Sequence, residues 1–287
     1  MDTKTVAVVP SIRPDSLKKF KENWKDLFEK HSVTLVTVLD GEKPEVLCND
    51  ISSSVDEIMG EYPDLIYNLN DGVRNIGFAY VAKYLPDVEY IISLDDDTSP
   101  QGDTIQDHVD ALSMNVPVTW MSTASQYTRG FPYGIREEAP VVLSHGVWNG
   151  VADWDAPTQL IHGNREVSFY KGVIPKGVLF PVCAMNMAFR RCMLPYIYQA
   201  PMGHRVGLDR FADIWGGIEA KKDLDRKGWA AVTGYSTVQH ERASNVFTNL
   251  VKESRGLGFN EKYGEDKYFD VFFKNRYTWN QMMKIYE

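Results

Sequence analysis

Apolar positions follow two different periods along the first hundred residues. "TVAVVPSI" (5–12), "VTLVTVLDG" (33–41) and "VEYIISL" (88–94) are short apolar runs rich in β-branched residues, the pattern of buried strands. Between the first two, "RPDSLKKFKENWKDLFEKH" puts Leu17, Phe20, Trp24, Leu27 and Phe28 on one helical face. Pro14 suits the first turn of that helix, where a missing N–H costs nothing. A loop and then a helix over residues 72–85 precede the third run. This alternation predicts an α/β domain with a mainly parallel sheet covered by helices. In such sheets ligands bind beyond the carboxyl ends of the strands. Ser11, Arg13, Asp40 and the three aspartates Asp95, Asp96 and Asp97 all fall at such ends.

The pattern loosens after residue 100. Residues 125–185 are rich in Gly, Pro and aromatics, with short apolar runs such as "PVVLSHGVW", and predict a loop-rich half built around a site. A helix over 210–228 and a last strand over 229–240 follow. With no internal repeat, low-complexity tract or linker, the chain reads as one compact domain of unequal halves.

Composition narrows the class. A chain of 287 residues with 44% hydrophobic and 24% charged side chains holds a sizeable core. No apolar run approaches the roughly 18 residues of a membrane span, and the first residues lack the regions of a signal peptide. The formal net charge of −8 disfavours nonspecific binding to nucleic acid. Three cysteines, Cys48, Cys183 and Cys192, show no metal-finger spacing and suit a reduced, cytoplasmic protein.

The negative charge raises a chemical question at "YIISLDDDTSP". Three adjacent carboxylates at a strand end are either solvated in a turn or neutralised by a cation. Mg²⁺ and Mn²⁺ take one or two protein carboxylates and complete their shells with phosphate and water. Strand alternation turns Asp95 and Asp97 the same way and Asp96 the other. His240, ending the last strand, offers an imidazole to the same ion, or is a structural histidine. Arg129 and Arg136 sit in a Gly- and Pro-interrupted loop and suit a diphosphate, since arginine is the favoured planar donor for phosphate. Arg74 opens a helix, and reaches either a ligand or the helix surface. In "DWDAP", Asp153 and Asp155 flank Trp154, an arrangement for sugar hydroxyls and a ring face, or for a capped turn. Asp213, near the start of the 210–228 helix, is a base or hydroxyl ligand, or a favourable helix N-terminal charge.

Several segments, in order, resemble one family. "VVPSIR", "SLDDD", "TRGFPYGIRE", "LSHGVW", "DWDAPTQL", "IPKGVLFPVCAMNMAF" and "ASNVFTNL" are similar to the reversibly glycosylated polypeptides of plants, the UDP-arabinopyranose mutases. The resemblance implies a single GT-A glycosyltransferase-like domain, a Mn²⁺-dependent site and a UDP-sugar ligand. It implies ring contraction of UDP-L-arabinopyranose to UDP-L-arabinofuranose and reversible self-glycosylation on an arginine, matched here by Arg129, with Arg136 a second important arginine. On this basis residues 1–100 would form a nucleotide-binding half, 101–250 a sugar or acceptor half, and 251–287 a C-terminal extension, with a homo- or hetero-oligomer as an option. The chain departs from the family where two adjacent acids are expected: "RFADIW" has Ala212 before Asp213. The alternatives are a metal-dependent transferase that moves the sugar to another acceptor, and a catalytically silent UDP-sugar-binding subunit.

Overall fold

The computed structural model describes residues 5–121, 127–136, 138–163, 167–241 and 245–286. Its strands are β1 (Thr5–Ser11), β2 (Thr34–Leu39), β3 (Glu45–Cys48), β4 (Ile51–Ser54), β5 (Tyr90–Leu94), β6 (Thr98–Pro100), β7 (Asn115–Val116), β8 (Ala139–Gly150), β9 (Gly172–Ile174), β10 (Asn186–Arg190) and β11 (Ala230–His240). Its helices are α1 (Pro14–Lys30), α2 (Val55–Met59), α3 (Arg74–Tyr84), α4 (Thr104–Leu112), α5 (Ala156–His162), α6 (Ala212–Lys227), α7 (Val246–Glu261) and α8 (Lys267–Met283).

The sheet runs β4-β3-β2-β1-β5-β10-β8-β11-β6. β1 pairs in parallel with β2 and β5, and β8 with β11. β10 lies antiparallel between β5 and β8, so these two point the same way. The strands β2, β1, β5, β8 and β11 therefore share one direction and one carboxyl edge. This is the expected mixed α/β, GT-A-like domain with a mainly parallel central sheet. The predicted strands and helices of the first hundred residues stand within two residues of their expected ends.

Each face of the sheet carries its own core. On one side α1 buries Leu17, Phe20, Trp24 and Phe28, as its periodicity required, while Leu27 is half-buried at the margin. Trp24 also donates its indole N–H to the Thr98 carbonyl at 3.0 Å, which fastens α1 to the chain just past the aspartates. On the other side α3 lies close against β1 and β2. A Cβ on Gly77 would stand 2.6 Å from Val8 and 2.8 Å from Val38, so glycine permits this approach.

Two features differ from the sequence expectation. The run "PVVLSHGVW", read within a loop-rich half, is the middle of the twelve-residue strand β8. It pairs with β10 and β11 and is buried on both faces, so it has no alternation to betray its length. Residues 45–54 form a β3–β4 hairpin whose turn residues Asn49 and Asp50 both have positive φ (48° and 62°). α7 runs through residues 250 and 251, and α8 buries Phe269, Phe272 and Trp279 in the core shared with α3 and α6. Trp279 donates to the Leu194 carbonyl at 2.9 Å. Among the described residues no helix is long and apolar enough to cross a membrane, and the three cysteines are free thiols.

Candidate functional site

A cleft of about 330 Å³ opens at the carboxyl edge of β1 and β5. Ser11, Arg13, Asp40, Asp95 and Asp96 line it, together with Asn70, Asp71, Asp209, Arg210 and Lys252, whereas Asp97, the third strand-end aspartate, does not. The side chains at the end of β1 and β5 are tied to one another. Ser11 Oγ donates to Asp96, and the Arg13 guanidinium forms an ion pair with the same buried carboxylate and reaches Asp97 at 3.4 Å. Asp40 Oδ1 accepts from the backbone N–H groups of Gly41 at 2.8 Å and Leu69 at 2.9 Å. Burial raises the Asp40 pKa, against backbone hydrogen bonds from Leu69, Gly41 and Asn70.

Arg74 lies beneath the cleft and not in it. It is 2% exposed and donates to Ser93 Oγ, to the carbonyls of Leu94 and Ala184 at 3.1 Å, and to Asp95. Asp95, the most open of the three aspartates, is thereby held by a buried cation.

Asp97 and His240 face each other where β6 pairs with the end of β11. His240 Nδ1 stands 2.7 Å from the Val151 carbonyl, which can only accept, so Nδ1 carries the hydrogen. In the neutral ring Nε2 then presents its lone pair, 3.8 Å from Asp97 Oδ1. That gap is too long for a hydrogen bond. It matches the roughly 3–4 Å between two ligands of one small divalent ion bound at about 2.1 Å each. The backbone fixes the pair: Glu241 N–H donates to the Asp97 carbonyl at 2.8 Å, and β6 pairs with the end of β11. A carboxylate oxygen with an imidazole fits Mn²⁺, whereas Mg²⁺ would rest on the carboxylate oxygen alone. Among the described residues no three or more of His, Cys, Asp and Glu are gathered in a group able to hold a metal, so Asp95 does not join Asp97 and His240 in one cage. Burial, then repulsion from Asp95, pushes the Asp97 pKa up to about 6, with His240 and Arg13 opposing.

Deeper in, Asp213, Asp153, Asp95 and Asp71 are near enough to feel one another's charge. Asp213 accepts from the Ala184 N–H at 3.0 Å, and its pKa is raised by burial and further by Asp153 and Asp95. Asp153 accepts a hydrogen bond from Cys183 Sγ at 3.1 Å. Asp71 sits on the turn that leads into α3. The residue is exposed at the cleft, where partial loss of hydration among the surrounding side chains, then Asp213 and Asp95, pushes its pKa up to about 7.

The other expected residues lie elsewhere or do other work. Asp155 is the N-cap of α5, accepting from Thr158 N at 3.0 Å and Thr158 Oγ1 at 2.7 Å. Trp154 packs edge-on against the His162 ring at 6.0 Å. Arg136 is caged in its own loop, 3.8 Å above the Tyr133 ring and 4.7 Å from Tyr127, and donates to the Phe131 carbonyl at 3.2 Å. Arg129 is exposed, and neither arginine lines the cleft. Their loop leads into the amino end of β8, which pairs with β7 there. Register across β10 puts that end roughly 25 Å below the level of Asp95, at about 3.3 Å per residue.

Sequence reasoning missed Asp71, Arg210, Lys252 and Glu253. Asp71 was signalled by "NDG", a turn at the carboxyl side of the sheet. Arg210 has a left-handed φ of 67° and donates Nε–H to Glu253 Oε1 at 2.9 Å. Burial disfavours its charge, but Asp71 and Glu253 outweigh this and its pKa is raised. Nothing in the sequence pattern brings residue 253 beside residue 210.

Comparison with known proteins agrees with this architecture. The chain is 31% identical over 281 residues to a protein named UDP-arabinopyranose mutase 3 from Arabidopsis thaliana, covering 89% of this chain and 75% of that one. It is 32% identical over 285 residues to a probable UDP-arabinopyranose mutase 1 from Pisum sativum, covering 89% and 74%. It is 30% identical over 278 residues to UDP-arabinopyranose mutase 1 from Oryza sativa subsp. japonica, covering 88% and 74%. The family described as reversibly glycosylated polypeptide matches residues 1–270, and the chain belongs to that family.

Proposed function

We propose that the protein is a UDP-arabinopyranose mutase that interconverts UDP-L-arabinopyranose and UDP-L-arabinofuranose with the help of Mn²⁺ or Mg²⁺. The observation that carries the metal is the charge of the cleft. Asp40, Asp71, Asp95, Asp96 and Asp209 line it against Arg13, Arg210 and Lys252, with Arg74 beneath Asp95, so the protein's cations are largely matched by its own carboxylates and leave little positive charge for an anionic diphosphate. A divalent cation held by Asp97 and His240 makes up this shortfall. When bound, the ion would supply charge neutralisation for departing UDP.

The chain's own residues supply the rest. Asp40, oriented by backbone N–H groups at its Oδ1, offers its carboxylate to the N3–H of uracil. Ser11, Arg13 and Asp96 hold the strand ends that support the diphosphate. UDP leaves C1 and returns to it once the ring has contracted; in between, O4 loses its proton as it bonds C1, the bond from C1 to the ring oxygen breaks, and that oxygen gains a proton. A single carboxyl that both accepts and donates near neutral pH suffices, and Asp71, at about 7, has that property. Asp153 and Asp213 stand beside it for the sugar hydroxyls.

Self-glycosylation is assigned to Arg129, supported by the family motif and by the exposure of the side chain. In that step the C1–O bond to UDP breaks, a C1–N bond to the guanidinium forms, and a guanidinium proton passes to solvent. The loop joins the opposite end of β8, which supports transfer between copies of the chain, the acceptor arginine on one and the donor cleft on another.

One observation favours a second reading. Ala212, in place of the first acid of the family's helix motif, is fully buried, so no side chain there takes that acid's role. A transferase that uses the same UDP-sugar cleft needs one acid fewer if its acceptor supplies the nucleophile. Incubation with UDP-L-arabinopyranose and Mn²⁺, without acceptor, separates the readings by chromatography of the nucleotide sugars. A furanose product is expected. Binding without that product would overturn the mutase and leave the transferase or a silent binding subunit.

A further inference from the structure

We infer that Arg210 is the protein cation that receives the diphosphate, and that Glu253 on α7 is the residue that positions it. The inference rests on the UDP-sugar reading and extends it to a part of the chain that the strand-end motifs do not touch.

Arg210 lines the cleft with Ser11, Arg13 and Asp96, yet it comes from the segment before α6. Its backbone is left-handed, a conformation that costs free energy at any residue but glycine. Strain of this kind persists where neighbouring contacts impose it, and here they do. Asp209 Oδ1 accepts from the Arg210 backbone N–H at 2.9 Å, and Asp209 pairs with Lys252 at 3.3 Å. Glu253 Oε1 accepts from Arg210 Nε at 2.9 Å, and its side chain is 5% exposed against 28% for Arg210. Residues 252 and 253 of α7 thus clamp residues 209 and 210.

The clamp leaves the useful edge free. Glu253 takes the Nε–H, and among the described residues the two Nη groups of Arg210 have no hydrogen-bond partner. Those groups form the planar pair that matches two phosphate oxygens. Arg13 is less suited, since its Nη2 is spent on Asp96. Arg74 is buried beneath the cleft. Glu253 also reaches the sugar side: its Oε2 accepts from the Ala156 N–H at 2.6 Å, at the start of the helix that follows Asp153 and Trp154. One buried carboxylate therefore orients the diphosphate cation and the loop expected to meet the sugar.

The test is binding of UDP and of uridine by calorimetry, in Mn²⁺, with the thermal midpoint of each variant. Arg210→Gln should weaken UDP by about 30- to 100-fold, the size of a lost charge-assisted pair, while uridine affinity holds. Glu253→Gln keeps the side chain's size and an acceptor for the Ala156 N–H. It should weaken UDP by about 5- to 10-fold through loss of orientation, again with uridine unchanged. A purely structural clamp would instead lower the thermal midpoint and weaken both ligands together. Equal UDP affinity in wild type and Arg210→Gln overturns the inference, as does parallel loss of UDP and uridine, or a wild type that binds the two alike. Because no turnover is read, a protein that shows this UDP dependence but forms no furanose overturns the mutase reading and leaves the assignment of Arg210 standing.

Discussion

Arg74 and Arg136 were both expected to touch a ligand, and their surroundings show how differently the two halves of the molecule are built. Arg74 stands where α3 meets the end of β5, and its two Nη groups are taken by Asp95 and three neutral oxygens while its buried Nε has no partner among the described residues. Arg136 stands in a loop at the other end of β8, held by two tyrosine rings and one carbonyl. The strand-end half is organised before any ligand arrives. The loop half holds Arg136 within the loop, and neither Arg136 nor the exposed Arg129 lines the cleft.

The largest expected effect tests that contrast. Arg74→Ala leaves the partly exposed Asp95 without its cation and several buried oxygens without a donor, and should cost about 3 kcal/mol of stability in urea denaturation. Arg136→Ala loses a cation–π contact near the surface and should cost about 1 kcal/mol. Equal losses would mean that the two halves are not organised differently.

Second is the metal pair. Asp97→Asn keeps the shape of the side chain and removes its charge. It should weaken UDP binding in Mn²⁺ by about 100-fold, or ~2.7 kcal/mol, and abolish the difference between Mn²⁺ and EDTA. Unchanged affinity without metal would remove the ion from the site.

Third, the region behind β8 should respond to acid in the opposite sense to the cleft. His108 is fully buried between Ser144 Oγ and Asn186 Oδ1, both at 2.9 Å, and His145 is buried beside Thr233 Oγ1 at 2.9 Å. Burial pushes both pKa values down to about 4. A histidine whose folded pKa lies below the usual 6.5 contributes stability above 6.5 that is lost as pH falls towards 4, because the unfolded chain takes up the proton first. Asp71 and Asp97, raised to about 7 and about 6, act the other way and favour the folded state as pH falls through those values. His108→Gln should therefore lose less stability than wild type between pH 6.5 and 4, by about 1–3 kcal/mol. Parallel profiles would show that His108 is not kept neutral by the fold.

The sequence disclosed most where one period ruled a segment. Val6 to Val9, the α1 face of Leu17, Phe20, Trp24 and Phe28, and the chemistry just past β5 could be read because strand ends and ligands coincide in this class of sheet. β8 was hidden because a strand buried on both faces loses its alternation. Arg74 was misplaced because a charged residue at a helix start reads as exposed until the sheet that covers it is known. Arg210 and Glu253 could not be paired from the sequence, since only tertiary packing of α7 brings them together. Asp155 was legible both ways, as a sugar ligand and as a cap before Pro157, and its bonds to Thr158 are those of the cap.

The smallest expected effect bears on Arg129, and it decides whether the loop half takes part in turnover. Arg129→Lys alters an exposed side chain and should change stability by less than about 0.5 kcal/mol. If the cleft alone carries the ring contraction, this variant keeps most of its mutase turnover. If glycosylation occurs between copies, incubation of wild type with UDP-L-arabinopyranose should leave a pentose mass on the peptide holding Arg129. The initial rate per chain should rise with protein concentration, and excess UDP should reverse the adduct. Arg129→Lys should show none, because the ammonium is a point charge without the planar nitrogens of the guanidinium. Mixing Arg129→Lys with a cleft-dead Asp97→Asn chain sharpens the comparison further, since only the second chain carries the arginine and only the first can donate. A pentose on the Asp97→Asn chain establishes transfer between copies. An adduct that forms at a concentration-independent rate, with turnover lost in Arg129→Lys, would instead put this arginine in its own chain's cleft and end the distinction between the organised half and the loop half.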